Sequence, residues 1–132
     1  MKKNGFFALM GRMKYITRWG LMRNTVNENI GEHSLEVAQI AHALGVIGRD
    51  VFGKSINPDR CAAAALYHDA PEILTGDLPT PVKYFNPEIM VAYKSVEKVA
   101  ADKLLSMLPE NMCGEYRKLF YIDECEPEVH AI

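Results

Sequence analysis

Apolar residues recur at intervals of three and four along most of this chain, and that spacing limits the fold to packed helices. Near the N-terminus the apolar positions Phe6, Leu9, Met10, Met13 and Ile16 form one stripe, as on the buried face of a helix. No alternating run of β-branched residues is long enough to indicate a strand. The pattern therefore predicts an all-α chain, and 132 residues suit a single domain over 1–132.

Proline and glycine divide this pattern into segments. Asn57-Pro58 and Asn86-Pro87 each join a capping residue to a proline suited to the first helical position, which predicts two helix starts. Gly48 and Gly53 are expected to mark the exit of an earlier helix. The expected segments are a loop over 17–31, helices over 32–47, 58–70, 87–108 and 110–121, a short turn over 71–74 and a structured loop over 76–81.

The composition excludes several classes of function. Fifteen Lys and Arg against 17 Asp and Glu give a net charge of −2, so the basic excess that a non-specific nucleic-acid binder needs is missing. No apolar run reaches the roughly 18 residues of a membrane span. The start of the chain lacks the apolar core of a signal peptide, and three cysteines without a close pair favour reduced thiols. We therefore expect a cytoplasmic protein with neither nucleic-acid nor membrane partners.

Three residues are candidates for a metal site, namely His33 at the start of one helix and His68-Asp69 at the end of another. Two imidazoles and a carboxylate suit a divalent first-row metal. Adjacent helical residues do not share a face, so His68 and Asp69 can both ligate only if the backbone ends or bends there, which Pro71 favours. By spacing alone, a helix cap or a surface histidine is the commoner role. We expect His42 to be a packing or surface residue.

Two neighbouring segments add further candidates. The stretch from His68 to Pro81 contains the carboxylates Asp69, Glu72 and Asp77 in an irregular segment, where catalytic groups often lie. Arg18-Trp19 offers a guanidinium for phosphate beside a flat apolar wall. The alternatives are a solvated Glu72, an Asp77 that caps its own turn, and a surface arginine beside a core tryptophan.

These residues together resemble a known family. The ordered set of His33 and His68-Asp69 resembles the HD-domain superfamily of metal-dependent phosphohydrolases, and longer segments resemble its bacterial 5′-deoxynucleotidase (YfbR-like) branch. The segments are Arg18-Trp19, Asn29-Ile30-Gly31-Glu32-His33-Ser34, Tyr67-His68-Asp69-Ala70-Pro71-Glu72 and the run from Thr75 to Phe85. The resemblance extends from about residue 6 to the mid-120s and implies an HD-domain helical bundle.

The resemblance also implies a reaction and a site. Members of this branch hydrolyse deoxyribonucleoside 5′-monophosphates to nucleoside and phosphate with one divalent metal ion, cobalt or manganese, with zinc, nickel, copper and magnesium as other candidates. They are often homodimers. The matching positions here are the metal ligands His33, His68 and Asp69, the catalytic residues Glu72 and Arg18, and the substrate-binding residues Arg18, Trp19 and Asp77.

One departure from the family pattern concerns the fourth metal ligand, which in this branch is an aspartate on a later helix. Asp123 comes too early to match it. Either the chain is a fragment, with this aspartate and the C-terminal helices of the bundle expected beyond Ile132, or this protein lacks the residue. Two alternatives stay open: another HD-type hydrolase that acts on a cyclic or alarmone nucleotide, and a non-catalytic, truncated HD module.

Overall fold

The computed structural model describes residues 5–18, 28–76, 85–126 and 129. Its elements are α1 (Phe6–Met10), a 3₁₀ turn (Gly11–Tyr15), α2 (Ile30–Asp50), α3 (Pro58–Tyr67), α4 (Glu72–Thr75), α5 (Pro87–Leu105), α6 (Glu110–Phe120) and α7 (Ile122–Cys125). Within these ranges β structure is limited to one isolated bridge between Thr17 and Asn29. The all-α prediction is therefore confirmed. No helix in the described part of the chain is long and apolar enough to cross a membrane.

Both helix starts predicted from Asn-Pro pairs are confirmed. The side-chain oxygen of Asn57 accepts a 2.9 Å hydrogen bond from the backbone N–H of Asp59. That of Asn86 accepts a 2.8 Å hydrogen bond from the N–H of Ile89. Each asparagine thus satisfies one of the N–H groups that the first turn of a helix leaves without an intrahelical partner.

The long helix α2 differs from its predicted bounds at both ends. It begins at Ile30 rather than near residue 32, because Asn29 caps it: the Asn29 side chain accepts from the Glu32 N–H at 2.8 Å and donates to the Glu32 carboxylate at 3.1 Å. The prediction that Gly48 marks its exit was wrong, since the helix continues to Asp50. The chain leaves the helix through Gly53, whose φ of +67° is accessible mainly to glycine.

The N-terminal apolar stripe forms two short pieces. α1 has five residues and passes directly into the 3₁₀ turn. Phe6 and Met13 are buried, whereas Leu9, Met10 and Ile16 are half-buried. The five apolar residues are not equally buried because the two pieces have different periods, 3.6 and 3.0 residues per turn, so one face does not continue from the first piece into the second. The predicted turn after Pro71 is present as α4, and the last predicted helix is present as α6.

The chain forms two compact units, each made of two separate stretches. Unit 1 comprises 1–32 and 70–109, and unit 2 comprises 33–69 and 110–132. In unit 1, the short helix α4 packs against α5 and against the 3₁₀ turn. Unit 1 also contains the largest fully buried side chains, which are Phe6, Ile30, Leu104 and Leu108. A single domain over 1–132 stays a prediction.

Unit 2 is built around the small residues of α3. Cys61 and Ala64 of this helix lie in one buried cluster with Leu119 and Val129, and α3 packs against α6. Burial raises the pKa of the Cys61 thiol, as expected for a structural rather than a reactive cysteine. This packing fixes the end of α3, where the candidate metal ligands begin.

Candidate metal centre

His33, His68 and Asp69 come together in unit 2, as the sequence predicted. Each offers one ligand atom, and the three atoms lie within 4.8 Å of one another. The Nε2 atom of His33 is 3.5 Å from Oδ2 of Asp69, and Nε2 of His68 is 3.1 Å from the same oxygen. The two imidazole centroids are 5.4 Å apart. The three side chains therefore converge on one point.

The local backbone explains how two adjacent residues can both face that point. The regular helix α3 ends at Tyr67, and residues 68–71 form a turn before α4 begins. The expectation that the backbone ends or bends at the His68-Asp69 pair is thus confirmed, whereas the helix predicted over 58–70 ends three residues earlier, at Tyr67. His33 comes from the first turn of α2, so one helix and one turn supply the three ligand atoms.

The second nitrogen of His68 fixes the tautomer of its neutral ring. Its Nδ1 lies 2.6 Å from the carbonyl oxygen of Ala65, which can only accept a hydrogen bond. Nδ1 therefore carries the proton, and in the neutral ring Nε2 presents a lone pair toward Oδ2 of Asp69. A cation between these two atoms would be bound by both of them. A backbone carbonyl that orients a histidine in this way is typical of metal-ligating histidines.

The donor set fits a divalent first-row metal. Bond lengths of about 2.0–2.2 Å from a metal to nitrogen and oxygen place neighbouring ligand atoms roughly 3 to 3.5 Å apart, close to the two distances measured to Asp69. The side chains of His33 and Asp69 are 20% and 22% exposed, and that of His68 is 36% exposed. The cluster is thus open enough for an ion, water and a ligand to reach it.

An aromatic group supports the end of α3 next to His68. The Tyr67 ring packs edge-on against Tyr116, with centroids 5.5 Å apart, and stacks on Phe120 at 6.1 Å. Burial, together with the hydrogen bond to Tyr116, raises the pKa of Tyr67 to about 12. This group was not predicted from the sequence, although the four-residue spacing of Tyr116 and Phe120 on a helix could have indicated it.

The other predicted site residues belong to unit 1 or lie outside the described residues. Glu72 is the first residue of α4 and is 6% exposed. The guanidinium of Arg18 forms an ion pair with Glu28, and its backbone N–H donates to the Glu28 carbonyl at 2.7 Å. This partner was not predicted from the sequence, because ten residues separate the two positions. Trp19 and Asp77 lie outside the described residues.

His42 behaves as the surface residue that the sequence predicted. It lies on α2 nine residues after His33, and its side chain is 47% exposed. Its Nε2 is 3.2 Å from the carboxylate of Asp59, which is 87% exposed. This pair therefore provides a histidine and an aspartate that can serve as controls for the metal ligands.

Comparisons with known proteins match nearly the whole chain. Residues 5–132 match a family model described as 5′-deoxynucleotidase YfbR-like. The chain is 52% identical to a 5′-deoxynucleotidase from Vibrio cholerae over 132 residues, which are all of this chain and 68% of the relative. It is 55% identical to the 5′-deoxynucleotidase YfbR from Escherichia coli over 124 residues, which are 94% of this chain and 61% of the relative.

A solved structure also matches. The HD-domain phosphohydrolase from Listeria innocua aligns with a TM-score of 0.76 and 29% identity, over 86% of this chain and 54% of that one. The HD-domain fold predicted from the sequence is thereby confirmed. The chain spans between about half and two thirds of the length of these three proteins.

Proposed function

Because the chain belongs to the YfbR-like 5′-deoxynucleotidase family, we propose that it is a metal-dependent phosphomonoesterase acting on deoxyribonucleoside 5′-monophosphates. The products would be a deoxynucleoside and inorganic phosphate. The observation that carries this proposal is the convergence of His33, His68 and Asp69 on one point. It is supported by relatives whose names state the same activity.

The proposal assigns the three converging side chains to one divalent ion, cobalt or manganese. When bound, such an ion supplies Lewis-acid polarisation of a phosphate and lowers the pKa of water toward neutrality. Asp69 contributes the negative charge of the ligand set, and the Ala65 carbonyl holds His68 in the tautomer that can ligate.

Glu72 and Arg18 are the residues that we assign to the chemistry. Water attacks phosphorus, its oxygen forms the new P–O bond, and the bond from phosphorus to the 5′ oxygen breaks. Glu72, three residues after Asp69 in the chain, would accept the proton of that water and return it to the leaving 5′ oxygen. Arg18 would offset the charge that develops on the phosphoryl oxygens.

Trp19 and Asp77 are assigned to the sugar. In the proposal, the indole of Trp19 forms a wall that disfavours a 2′-hydroxyl, and the Asp77 carboxylate accepts a hydrogen bond from a sugar hydroxyl. These two assignments rest on the family resemblance. The homodimer and the cytoplasmic location expected from the sequence stay predictions as well.

The test is phosphate release by the purified protein from dAMP and AMP, with cobalt or manganese and then with excess EDTA. We expect release that requires metal and is faster for dAMP. Asp69→Ala should abolish both metal binding and release, since it removes the carboxylate among the three converging ligands. Asp59→Ala is the matched control and should retain both, because Asp59 is exposed and pairs only with the surface residue His42 among the described residues.

The same assay separates the alternative functions. Release from a cyclic nucleotide or from a pyrophosphorylated guanosine nucleotide, and not from dAMP, would identify another HD-type hydrolase. Metal binding without release from any of these substrates would identify a non-catalytic module. Full activity of Asp69→Ala would refute the metal site itself.

A further inference from the structure

The helix that carries Glu72 is too short to hold its own position. α4 has only four residues, Glu72–Thr75, and its N-cap Pro71 makes no side-chain capping bond. A helix of one turn has little intrinsic stability, because nucleation fixes several residues for each hydrogen bond formed. The place of the Glu72 carboxylate must therefore depend on what anchors α4 to the rest of unit 1.

The C-terminal end of α4 is closed by Gly76. Its N–H donates a 2.7 Å hydrogen bond to the carbonyl of Glu72 itself, and its φ is +77°, in the left-handed region. This single bond links the backbone of Glu72 to the peptide plane of Gly76. A displacement of Gly76 would therefore strain the hydrogen bond that holds the Glu72 carbonyl.

Tyr93 of the long helix α5 holds Gly76 in place. Its phenolic oxygen lies 3.1 Å from the carbonyl of Gly76, to which it donates, and 3.5 Å from the hydroxyl of Thr75. The Thr75 hydroxyl is in turn 3.1 Å from the same carbonyl. Seventeen residues separate Tyr93 from Gly76, so this hydroxyl is a tertiary anchor from a 19-residue helix to a four-residue one.

We propose that Tyr93 is a positioning residue for Glu72: its hydroxyl fixes the Gly76 carbonyl, and Gly76 fixes the turn that carries the Glu72 carboxylate. This inference rests on the proposed function, in which Glu72 moves a proton. A carboxylate that transfers protons must hold its geometry closely, and a displacement of about 1 Å can cost up to about 100-fold in rate. Tyr93 contacts neither substrate nor metal in this account.

The variant Tyr93→Phe removes the hydroxyl and keeps the ring. We expect kcat for dAMP to fall by about tenfold, with KM within about twofold and manganese affinity unchanged by calorimetric titration. Tyr15→Phe is the matched control, because Tyr15 also lies in unit 1 but is 69% exposed, and it should leave all three quantities unchanged. An unchanged kcat in Tyr93→Phe would overturn the proposal.

A double variant distinguishes positioning from a general structural effect. If Tyr93 acts through Glu72, then adding Tyr93→Phe to Glu72→Gln should cause no further loss of kcat. A further tenfold loss in that background would show that Tyr93 acts by another route. If Glu72→Gln alone kept full activity, the failure would lie in the role assigned to Glu72 by the proposed function.

Hydrogen exchange tests the anchor without reference to activity. The amide of Gly76 is protected by its bond to Glu72, so Tyr93→Phe should speed its exchange by about tenfold, and Tyr15→Phe should not. An unchanged exchange rate of the Gly76 amide in Tyr93→Phe would overturn the proposal, whatever the effect of the variant on kcat. So would global unfolding of Tyr93→Phe by circular dichroism, since Tyr93 would then serve the fold as a whole.

Discussion

Arg60 binds two carboxylates with one guanidinium. Its Nη1 donates to Glu115 at 2.7 Å, while Nε and Nη2 both donate to Glu126, the Nε bond being 3.1 Å long. The hydrogen bond to Glu126 is the main reason that the pKa of Arg60 is raised. Because the guanidinium is only 22% exposed, this group is better shielded from water than an ordinary surface ion pair.

We predict that Arg60→Lys destabilises the protein although it keeps the charge. An ammonium group cannot reproduce the fork that contacts Glu126 and Glu115 together, so the free energy of unfolding should fall by about 1 kcal/mol. Urea unfolding measures this as a lower midpoint with an unchanged slope. Arg49→Lys is the control, because Arg49 pairs with Asp50 on an exposed surface, and it should leave the midpoint unchanged. An equal loss in both variants would contradict the argument.

At the scale of single residues, the convergence of three candidate ligands could be predicted from the sequence better than the groups that orient them. His33, His68 and Asp69 were predicted because imidazole and carboxylate are recognisable metal ligands. The Ala65 carbonyl that orients His68 has no sequence signature, because every residue has a carbonyl. Glu28, the partner of Arg18, was missed since it is a bridge between Thr17 and Asn29, without a sequence signature, that brings their backbones together.

The close approach of α2 and α3 depends on a glycine. A Cβ atom at Gly45 would lie 2.9 Å from the Cα of Pro58 and 3.2 Å from the Sγ of Cys61. The first distance is to backbone, which can yield only if α3 moves. His33 lies in the first turn of α2 and His68 directly follows α3. The distance between the two helices at Gly45 therefore also affects the distance between the two imidazoles.

We predict that Gly45→Ala destabilises the protein and weakens metal binding. Alanine favours a helix over glycine by about 1 kcal/mol, but separating two packed helices should cost more, giving a net loss of roughly 1–2 kcal/mol. Gly48→Ala is the control on the same helix, since a Cβ there would meet Ile56 at an ordinary 3.6 Å. It should stabilise by about 0.5–1 kcal/mol. Urea unfolding and manganese titration give both readouts, and stabilisation by Gly45→Ala would refute the close-approach argument.

At the scale of elements, local chemistry predicted helix starts well and helix ends less well. Asn57 and Asn86 cap their helices through hydrogen bonds that span two or three residues. These two helix starts could therefore be predicted from the local sequence alone. The start of α2 was missed by two residues although Asn29 and Glu32 have capping spacing. The end of α2 was predicted at Gly48 because glycine often ends a helix, but the helix continues through it to Asp50. The glycine with a left-handed backbone conformation is Gly53.

At the scale of the whole molecule, the candidate residues divide between the two units. His33, His68 and Asp69 belong to unit 2, while Arg18 and Glu72 belong to unit 1. Metal binding and turnover can therefore be tested as separate properties, the first through variants in unit 2 and the second through variants in unit 1. Sequence patterns could not predict this division, because each unit combines stretches that are far apart in the chain.

The final prediction is that a divalent metal stabilises the folded protein through the three ligands of unit 2. An ion that binds only the folded state adds about 2.7 kcal/mol to the free energy of unfolding at a free concentration 100 times its dissociation constant. Manganese or cobalt should therefore raise the Tm, and EDTA should reverse the rise. His33→Ala should abolish this response, whereas His42→Ala should retain it, because His42 lies on the same helix but pairs with Asp59 at the surface. A rise in Tm that persists in His33→Ala would place the metal elsewhere and refute the assignment.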